Sequence, residues 1–457
     1  MRLLTAGLVL TITLIAFSAL AVETILPLVS DDLGGVSLYG WVFSAFFLAS
    51  LASVIVAGGV ADERGTLAPY SVGLALFVIG LAIAGAAPAM PVVVAGRLVQ
   101  GTGSGAILAA TYASIARAYS EAQRPRIFAI ISTAWVLPAI VGPAAAAFIA
   151  TAFGWRTVFF SVLPFAVVAA LLAVPALRRL GPPAQHGERT SRRDAVFVAI
   201  GGGLVLAGLS NPTPALAFAL LGAGVAVGVP ALRRVTPPGT LAGRAGLGAA
   251  VLVRGLLTFA FFGTEAFLPL MLREARGLSP TLAGVVLTTG GVTWTAGSWV
   301  HERLAPRLTS RRIITTAFAL VALGAFGVLA VLLVPALPVE LAYVAWATSG
   351  GGIGFGYAAI SVLVLRLAPP GRTGATGASM QVLDNLGTAL GTGAGGAAVA
   401  IAVANGLPVE TGIAAAFVVA IAGGLAGLAV SRRLDASRPS VVAVTPVELG
   451  PLGEPSR

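Results

Sequence analysis

Four charged side chains stand inside long apolar stretches of the sequence, where an isolated charge is costly unless it has a function or a partner. These residues are Glu23, Arg97, Glu265 and Asp384. A low-dielectric surrounding favours the neutral form of a carboxyl group, whereas an approaching cation or arginine favours the ionised form. Reversible protonation of this kind can couple proton entry to the exit of another solute. We therefore predict that the four residues are proton-coupling residues.

Two of the carboxyl groups belong to the same short pattern, Glu-x-x-Leu-Pro-Leu, which begins at Glu23 and again at Glu265. The proline four residues after each glutamate leaves a backbone carbonyl without its helical partner and allows a bend. Both glutamates lie near one end of their apolar stretches, so the alternative is that each side chain merely reaches the membrane interface. Their occurrence in both copies of the pattern favours a functional role.

Asp384 stands deeper in its apolar stretch, beside Gln381 and Asn385. Its alternative role is to pair with a polar group of another helix, such as Arg254, and so to hold helices together. Arg97 has a similar alternative, because an arginine can serve as a structural tie to backbone carbonyls.

The elements that must position these residues are membrane helices. The chain is 57% hydrophobic and 10% charged, with a mean hydropathy of +0.97. Ordinary soluble domains are about a quarter charged. The apolar residues come in blocks of about twenty, the length that crosses a bilayer core of about 30 Å as a helix. We therefore predict an all-α integral membrane protein.

Fourteen apolar segments can be marked along the chain. The first is expected to be a spanning helix rather than a cleaved signal peptide, because many further spans follow. Segments 7 and 8 are short, and a single re-entrant hairpin is the alternative to two tilted spans. The segments, numbered 1 to 14, are 3–28, 39–60, 67–87, 92–116, 127–152, 158–177, 195–209, 216–232, 249–272, 282–300, 313–334, 341–365, 375–404 and 413–430.

The 28 basic residues are all arginines, and most of them lie in alternate loops between these segments. The positive-inside rule places the arginine-rich loops in the cytoplasm. We predict fourteen spans in a bacterial cytoplasmic membrane, with both termini cytoplasmic. This distribution also argues against nucleic-acid binding, although the net charge is +11. The other loops carry few arginines and hold the acidic residues Asp31, Asp32, Glu274, Glu340 and Glu410.

Residue types that the sequence lacks exclude several classes of protein. Without lysine, the chain has neither a Walker-A phosphate loop nor a retinal Schiff base, so it is not itself an ATP-driven or light-driven pump. Without cysteine, it has no disulfide and no thiolate metal site. Its two histidines, His186 and His301, are far apart in the sequence, so no metal site is expected. We predict that the chain is not an enzyme and needs no cofactor, and that the proton gradient is its energy source.

The sequence also indicates an internal duplication. The Glu-x-x-Leu-Pro-Leu pattern occurs in segments 1 and 9, and the run 58–64 corresponds to the run 297–303. We predict an N-terminal six-helix half (1–180), a linker with an inserted helix pair (181–246), a C-terminal six-helix half (247–432) and a disordered cytoplasmic tail (433–457). The third correspondence relates Pro138, Gly142 and Pro143 of segment 5 to Gly387, Gly391 and Thr392 of segment 13.

Three motifs follow one another along the first half. The motif Gly58-x-x-x-Asp62-x-Arg64-Gly65 runs from the end of segment 2 into the loop before segment 3. Segment 4 contains Arg97-x-x-Gln100-Gly101, and segment 5 contains Gly142-Pro143. Their order and positions resemble the major facilitator superfamily, and the fourteen predicted spans resemble its drug:proton antiporter branch. The resemblance implies that a set of motif residues controls conformation, with Asp62 as a latch. These residues are Gly58, Asp62, Arg64, Gly65, Gln100, Gly101, Pro138, Gly142, Pro143, Gly387 and Gly391.

The motifs also depart from the family pattern. Thr66 and Leu67 stand where a basic pair is expected, and Pro138 replaces the first glycine of the antiporter motif. In segment 1, Ser18 occupies the position of the usual acid, whereas Glu23 occupies a position that more often holds asparagine. We interpret this as a carboxylate that has been relocated rather than lost.

The resemblance implies transport by alternating access, and the Gly-Pro of segment 5 favours export. We predict a proton-coupled exporter of amphipathic, hydrophobic or cationic small molecules, monomeric in the lipid bilayer. The alternatives are a proton symporter for nutrient uptake, an exporter of a lipid or an endogenous biosynthetic product, and a non-transporting scaffold. We expect the substrate cavity to include Phe17, Ser18, Trp135, Phe261, Phe262, Trp346, Gln381 and Asn385.

Overall fold

The computed structural model describes residues 2–120, 123–181, 192–369 and 372–434. The regular elements in these ranges are helical, as predicted, and none of them is a strand. His186, with most of the predicted linker, and the predicted tail from residue 435 onward lie outside the described residues. The α-helices are α1 (Arg2–Leu33), α2 (Tyr39–Arg64), α3 (Leu67–Gly85), α4 (Met90–Ala118), α5 (Arg124–Phe153), α6 (Trp155–Ser161), α7 (Leu163–Leu180), α8 (Arg192–Leu209), α9 (Pro214–Val235), α10 (Leu247–Glu265), α11 (Leu268–Glu274), α12 (Pro280–Leu304), α13 (Ser310–Leu333), α14 (Glu340–Leu367), α15 (Thr373–Ala404) and α16 (Val409–Ser431).

Two pairs of these sixteen helices, α6 with α7 and α10 with α11, follow each other so closely that each pair forms one helical segment. The described residues therefore contain fourteen helical segments, which we call rods. Within the described residues, twelve rods are long and apolar enough to cross a membrane. The chain is therefore a multi-pass membrane protein. The other two rods are α8, whose first turn holds Arg192, Arg193 and Asp194, and α12, in which threonine and glycine are frequent. The predicted number of fourteen spans exceeds twelve by these two helices.

The same set of helix neighbours occurs twice in the fold. In the first set, α1 packs on α5 and α7, and both α2 and α3 pack on α4. In the second set, α10 packs on α15 and α16, and both α12 and α13 pack on α14. The two sets meet along two equivalent seams, α2 with α15 and α5 with α12. This pattern is that of two related six-helix halves facing each other.

The seams are tight toward the end of the bundle that carries Asp31, Asp32 and Glu274, which we call the acidic end. A Cβ atom on Gly40 of α2 would lie 2.7 Å from the carbonyl oxygen of Thr392 in α15. At the other seam, a Cβ atom on Gly284 of α12 would lie 3.0 Å from the carbonyl oxygen of Pro143 in α5. Glycine is required at such positions because small residues let helix backbones approach closely.

Ion pairs close the same end. Asp31 of α1 pairs with Arg273 of α11, across the two halves. Within the first half, Asp32 accepts hydrogen bonds from Trp155 Nε1 at 3.0 Å and from Arg156 Nη1 at 2.8 Å. Exposed ion pairs contribute about 0–1 kcal/mol each. The acidic end is therefore held by contacts that can separate at small cost.

The helices α8 and α9 pack on each other beside the seam between α2 and α15. Their crossing is close, because a Cβ atom on Gly201 would lie 2.7 Å from the backbone nitrogen of Gly228. Helix α8 contacts both α2 and α15, whereas most of α9 is exposed. The pair is thus an addition to the outside of the two halves. We call the end of the bundle opposite the acidic end, where α2 finishes at Arg64 and α8 starts at Arg192, the arginine end.

Candidate proton and substrate site

Glu23 on α1 and Glu265 on α10 are buried carboxyl groups, each with 5% of its surface exposed. The Oε2 atom of each has no hydrogen-bond partner among the described residues. The two side chains come from opposite halves and are close enough for the charge of Glu23 to act on Glu265. The structure therefore brings together the two copies of the repeated glutamate, deep enough for ionisation to be unfavourable without a positive partner.

The two copies of the pattern differ in backbone structure. Helix α1 continues through Pro27 to Leu33, whereas α10 ends at Glu265 and α11 starts at Leu268. At the break, the amide of Phe267 donates to the carbonyl of Thr264 at 3.2 Å. A helix C-terminus carries partial negative charge, which disfavours an ionised carboxylate beside it. Glu265 therefore has a second local reason to remain neutral that Glu23 lacks.

Arg97 lies beside Glu23 and is 1% exposed. Its Nε donates to the carbonyl of Val42 at 3.2 Å, and its Nη1 donates to Oε1 of Gln100 at 2.7 Å. Gln100 in turn donates to the hydroxyl of Ser18 at 2.6 Å. The network joins α4 to α1 and α2. Arg97 thus makes the bond to a backbone carbonyl that a purely structural role would require, and it also lies close enough for its charge to act on Glu23.

Asp384 on α15 has a complete set of partners. Its Oδ1 lies 2.6 Å from Nε of Arg254, and its Oδ2 accepts from the Tyr357 hydroxyl at 3.0 Å. Gln381 Nε2 also approaches Oδ2, at 3.4 Å. Arg254 further donates to the carbonyl of Tyr357 at 2.9 Å, and its Cζ lies 3.0 Å from the centre of the Tyr357 ring. The pairing of Asp384 with Arg254 is the one that the helix-packing alternative requires.

A chain of aromatic contacts connects the two arginines. Arg97 lies over the ring of Phe46, and Phe46 contacts Phe47 at 5.2 Å between ring centres. Phe47 contacts Phe262 of the other half at 6.3 Å. Phe262 is 6.2 Å from Trp294, which lies 5.4 Å from Tyr357. Sequence reasoning missed Phe46, Phe47 and Tyr357, because no spacing pattern distinguishes them from other aromatic residues in apolar helices.

The predicted cavity residues fall into two groups. Phe261 and Trp346 are fully buried and stack at 4.7 Å between ring centres, so they do not face open space in this conformation. Ser18 and Asn385 are also buried. The partly or largely exposed members are Phe17, Trp135, Phe262 and Gln381.

Tyr112 on α4 is a candidate cavity residue that sequence reasoning missed. It is 45% exposed, although the charges of Asp384 and Arg254 in the other half act on its hydroxyl. A cavity of about 700 Å³ lies elsewhere, between α2, α3, α4 and α8, and none of the predicted cavity residues lines it.

The predicted motif residues at the end of α2 have different surroundings. Gly65 has a φ of +91° where α2 ends, a conformation that favours glycine. Gly58 has space around it, and Asp62 and Arg64 are exposed. The ion pair at this point joins Glu63, the neighbour of Asp62, to Arg192 of α8 at 2.6 Å.

The other motif residues belong to helix crossings. Gly101 lies against the backbone of α2, and Gly387 and Gly391 lie against the backbone of α10. A Cβ atom on Gly142 would meet its nearest neighbour, Phe17, at 3.6 Å, which is an ordinary contact. Pro138 and Pro143 lie inside α5, which is unbroken.

The described residues contain no group of three or more side chains of the types that bind metals. His301 lies at the arginine end of α12 and contacts Phe355, with 6.1 Å between ring centres.

Comparisons with known proteins agree with this architecture. The chain is 27% identical over 378 residues to the methylenomycin A resistance protein of Bacillus subtilis, with 79% of each chain covered. It is 26% identical over 440 residues to a probable multidrug-efflux transporter of Mycobacterium tuberculosis, with 88% of each covered.

Solved structures show the same fold at low sequence identity. An auto-inhibited peptide transporter of the POT family aligns with a TM-score of 0.68 at 15% identity, covering 96% of this chain and 98% of that one. A bacterial homologue of the human lysosomal transporter Spinster, in an inward-facing and unoccupied conformation, aligns with a TM-score of 0.62 at 14% identity. That alignment covers 94% of this chain and 96% of the homologue.

The sequence pattern of the Major Facilitator Superfamily matches residues 8–392. This match and the duplicated helical halves agree with the motifs in the first half of the chain. The protein is a membrane transporter and not an enzyme, and it belongs to the Major Facilitator Superfamily.

Proposed function

We propose that the protein is a proton-coupled exporter that exchanges protons for amphipathic, hydrophobic or cationic small molecules by alternating access. The observation that carries this proposal is the pair of buried carboxyl groups, Glu23 and Glu265, whose Oε2 atoms have no hydrogen-bond partner among the described residues. The proton gradient supplies the energy, no cofactor takes part, and the monomer is the working unit.

The carboxyl pair needs positive charge beside it, and either a proton or a cationic substrate can supply that charge. Two neighbouring carboxylates in a low-dielectric site cannot both stay ionised without positive charge nearby. Arg97 is close enough to supply part of that charge to Glu23. Protonation or cation binding at Glu265 supplies the rest, so the two ligands exclude each other. Mutual exclusion at one site is the property that antiport needs.

Alternating access requires that one end of the bundle opens while the other closes. In this structure the acidic end is held by the Asp31–Arg273 ion pair and by the glycine contacts of the two seams. Tyr112, which is 45% exposed, lies on α4 nearer the opposite, arginine end. Separation at the acidic end would give Glu23 and Glu265 access to protons from that side. We propose that this side is extracellular.

Export, rather than import, is favoured by the relatives, two of which are named for resistance or multidrug efflux. The arginine-rich loops favour cytoplasmic termini and a bacterial cytoplasmic membrane. We further propose that α8 and α12 also cross the membrane, which gives the fourteen spans of the drug:proton antiporter branch. The short apolar length of α8 then requires that its first-turn charges reach the interface.

The proposal can be tested by ethidium transport in everted membrane vesicles, whose outer face is the cytoplasmic one. An acid interior should drive ethidium, a planar lipophilic cation, into vesicles that contain the protein. A pH-sensitive dye in the lumen should report proton release during uptake. Glu23→Gln and Glu265→Gln should each abolish the gradient-driven part of uptake. The matched control is Glu302→Gln, since Glu302 is exposed at the arginine end.

Three results would contradict the proposal. Gradient-driven ethidium uptake at the wild-type rate in both amide variants would remove the carboxyl pair from proton coupling. Proton-driven accumulation only in right-side-out vesicles would indicate a symporter for uptake. Ethidium movement unaffected by the proton gradient in either orientation would remove proton coupling altogether.

A further inference from the structure

A lateral groove lies outside the proton and substrate site. Its volume is about 700 Å³, with α2 along its floor, α3 and α4 on one side and α8 on the other. The two hydroxyl groups that line it are already bonded: the hydroxyl of Ser53 donates to the carbonyl of Thr102 at 2.6 Å, and the hydroxyl of Thr102 donates to the carbonyl of Leu98 at 3.0 Å. The groove therefore offers almost nothing but apolar surface.

The groove opens sideways between the helices. Val72 of α3 and Leu98 of α4 line it and are 58% and 51% exposed. Helix α8 lines it only with its first half, from Val196 to Gly203, which begins at the arginine end. Water gains no hydrogen bonds in such a groove, whereas hydrocarbon fits it. A lipid acyl chain from the leaflet on the arginine side is the chemistry that this surface accepts.

The arginine end of the groove is flanked by positive charge. Val56 and Val60 line the groove, and Arg64 follows one turn later on the same face of α2. On α8, Arg192 precedes the lining residue Val196 by one turn. Arg64 is exposed and forms no ion pair with a described residue. Arg192 is paired on one side with Glu63, at 2.6 Å, but remains partly exposed.

We propose that this groove binds one anionic glycerophospholipid, with an acyl chain against α2 and α8 and its phosphate at Arg64 and Arg192. Guanidinium groups suit this role because they bind phosphate through paired donors. Glu63 is paired with Arg192, and the arginines Arg64, Arg192 and Arg193 outnumber the acids Asp62 and Glu63 at this end of α2 and α8 by one. The remaining charge of Arg64 selects an anionic headgroup over a zwitterionic one. The lipid would join α8 to α2 beside the α2–α15 seam.

Native mass spectrometry of the full-length protein in detergent tests the proposal. The probes are dioleoyl phosphatidylglycerol and dioleoyl phosphatidylcholine, which share acyl chains and differ in headgroup charge. We expect one tightly retained phosphatidylglycerol, preferred about fivefold over phosphatidylcholine, as one arginine near an anionic headgroup predicts. Arg64→Gln should bring this ratio to about one. Arg303→Gln is the matched control, because Arg303 is the corresponding exposed residue of α12 in the second half.

A second variant tests the groove rather than its charged end. Ala52→Phe fills the floor and should lower the retention of both lipids, whereas Ala219→Phe on the exposed face of α9 should not. Thermal unfolding with and without phosphatidylglycerol checks that each variant is folded. Equal retention of the two lipids by the wild type would overturn the headgroup assignment. Unchanged retention in Ala52→Phe would overturn the assignment of the groove to a resident lipid.

Discussion

The carboxyl groups of Glu23 and Asp384 are buried to a similar degree, at 5% and 8% exposure, but their surroundings differ. Asp384 accepts bonds from Arg254, Tyr357 and Gln381. Glu23 has an Oε2 without any partner among the described residues. Burial alone therefore does not distinguish a proton-coupling carboxyl group from one that holds helices together. The number of donors around it does, because a fully bonded carboxylate is stable while ionised and a partnerless one is not.

The comparison assigns opposite roles to the two regions. The Asp384 cluster ties α15 to α10 and α14 within one half. Glu23 and Glu265 come from opposite halves, and we propose that the pair gains stability whenever a proton or cation arrives. Substitutions in the first region should therefore change the free energy of unfolding, and substitutions in the second should change transport.

The largest effect is expected from Asp384→Ala, which leaves Arg254 buried without its carboxylate. Removal of one partner of a buried pair costs about 3–5 kcal/mol of unfolding free energy. Thermal unfolding in detergent measures the loss. Replacing both residues, Asp384→Leu with Arg254→Leu, should recover most of it. If the single variant unfolds like the wild type, Asp384 is not a structural residue and the comparison fails.

The next effect is on transport. Glu23→Gln keeps the shape of the side chain and cannot exchange a proton, so we expect a loss of about a hundredfold or more in gradient-driven ethidium transport. The free energy of unfolding should change by less than about 1 kcal/mol, because the carboxyl Oε2 has no bond to lose. Both quantities should be measured on the same preparation. A variant that is inactive because it is unfolded would place Glu23 in the structural class.

Removing a single hydroxyl group from each of two tyrosines tests whether a hydrogen bond to Asp384 contributes more to stability than an unbonded buried hydroxyl does. Tyr357→Phe removes the bond to the Asp384 carboxylate and should cost about 1.5–3 kcal/mol of unfolding free energy. Tyr39→Phe removes a buried hydroxyl that has no partner among the described residues. It should therefore be neutral or slightly stabilising. Equal losses in the two variants would show that the donors around Asp384 have no special weight.

A smaller loss than that of Tyr357→Phe is expected at Ser18, the position where the resemblance placed a missing acid. Ser18→Ala removes the acceptor of the 2.6 Å bond from Gln100, at a cost of about 1 kcal/mol. Because Gln100 also orients Arg97, transport should fall by a few-fold while the Asp384 cluster is unaffected. Unchanged stability and transport would mean that Gln100 finds another acceptor.

The repeated pattern shows where local sequence stops being informative. Both copies have the sequence Glu-x-x-Leu-Pro-Leu. Helix α1 continues through Pro27, whereas α10 ends at Glu265 and two residues separate it from α11. Proline removes one backbone hydrogen bond in either place. Whether the helix then bends slightly or breaks depends on what packs around it. The surroundings differ, because α11 contacts α1, α12 and α16.

Some features of the protein could be predicted from the sequence and others could not. Composition and hydropathy determined that the chain is an all-helical membrane protein, because a bilayer accepts few other structures. The motifs around Asp62, Arg97 and Gly142 determined the superfamily. The number of spans was less certain, since twelve helices meet the requirements of length and composition and fourteen were predicted.

The tertiary structure decided which charges meet. Glu23, Glu265 and Asp384 looked alike in the sequence, as charged residues in apolar helices. Only the packing of α10 against α15 gave Asp384 its partner Arg254, and only the meeting of the halves brought Glu23 close enough for its charge to act on Glu265. Hydropathy is a property of each segment alone, whereas a buried charge is governed by partners that lie more than a hundred residues away along the chain.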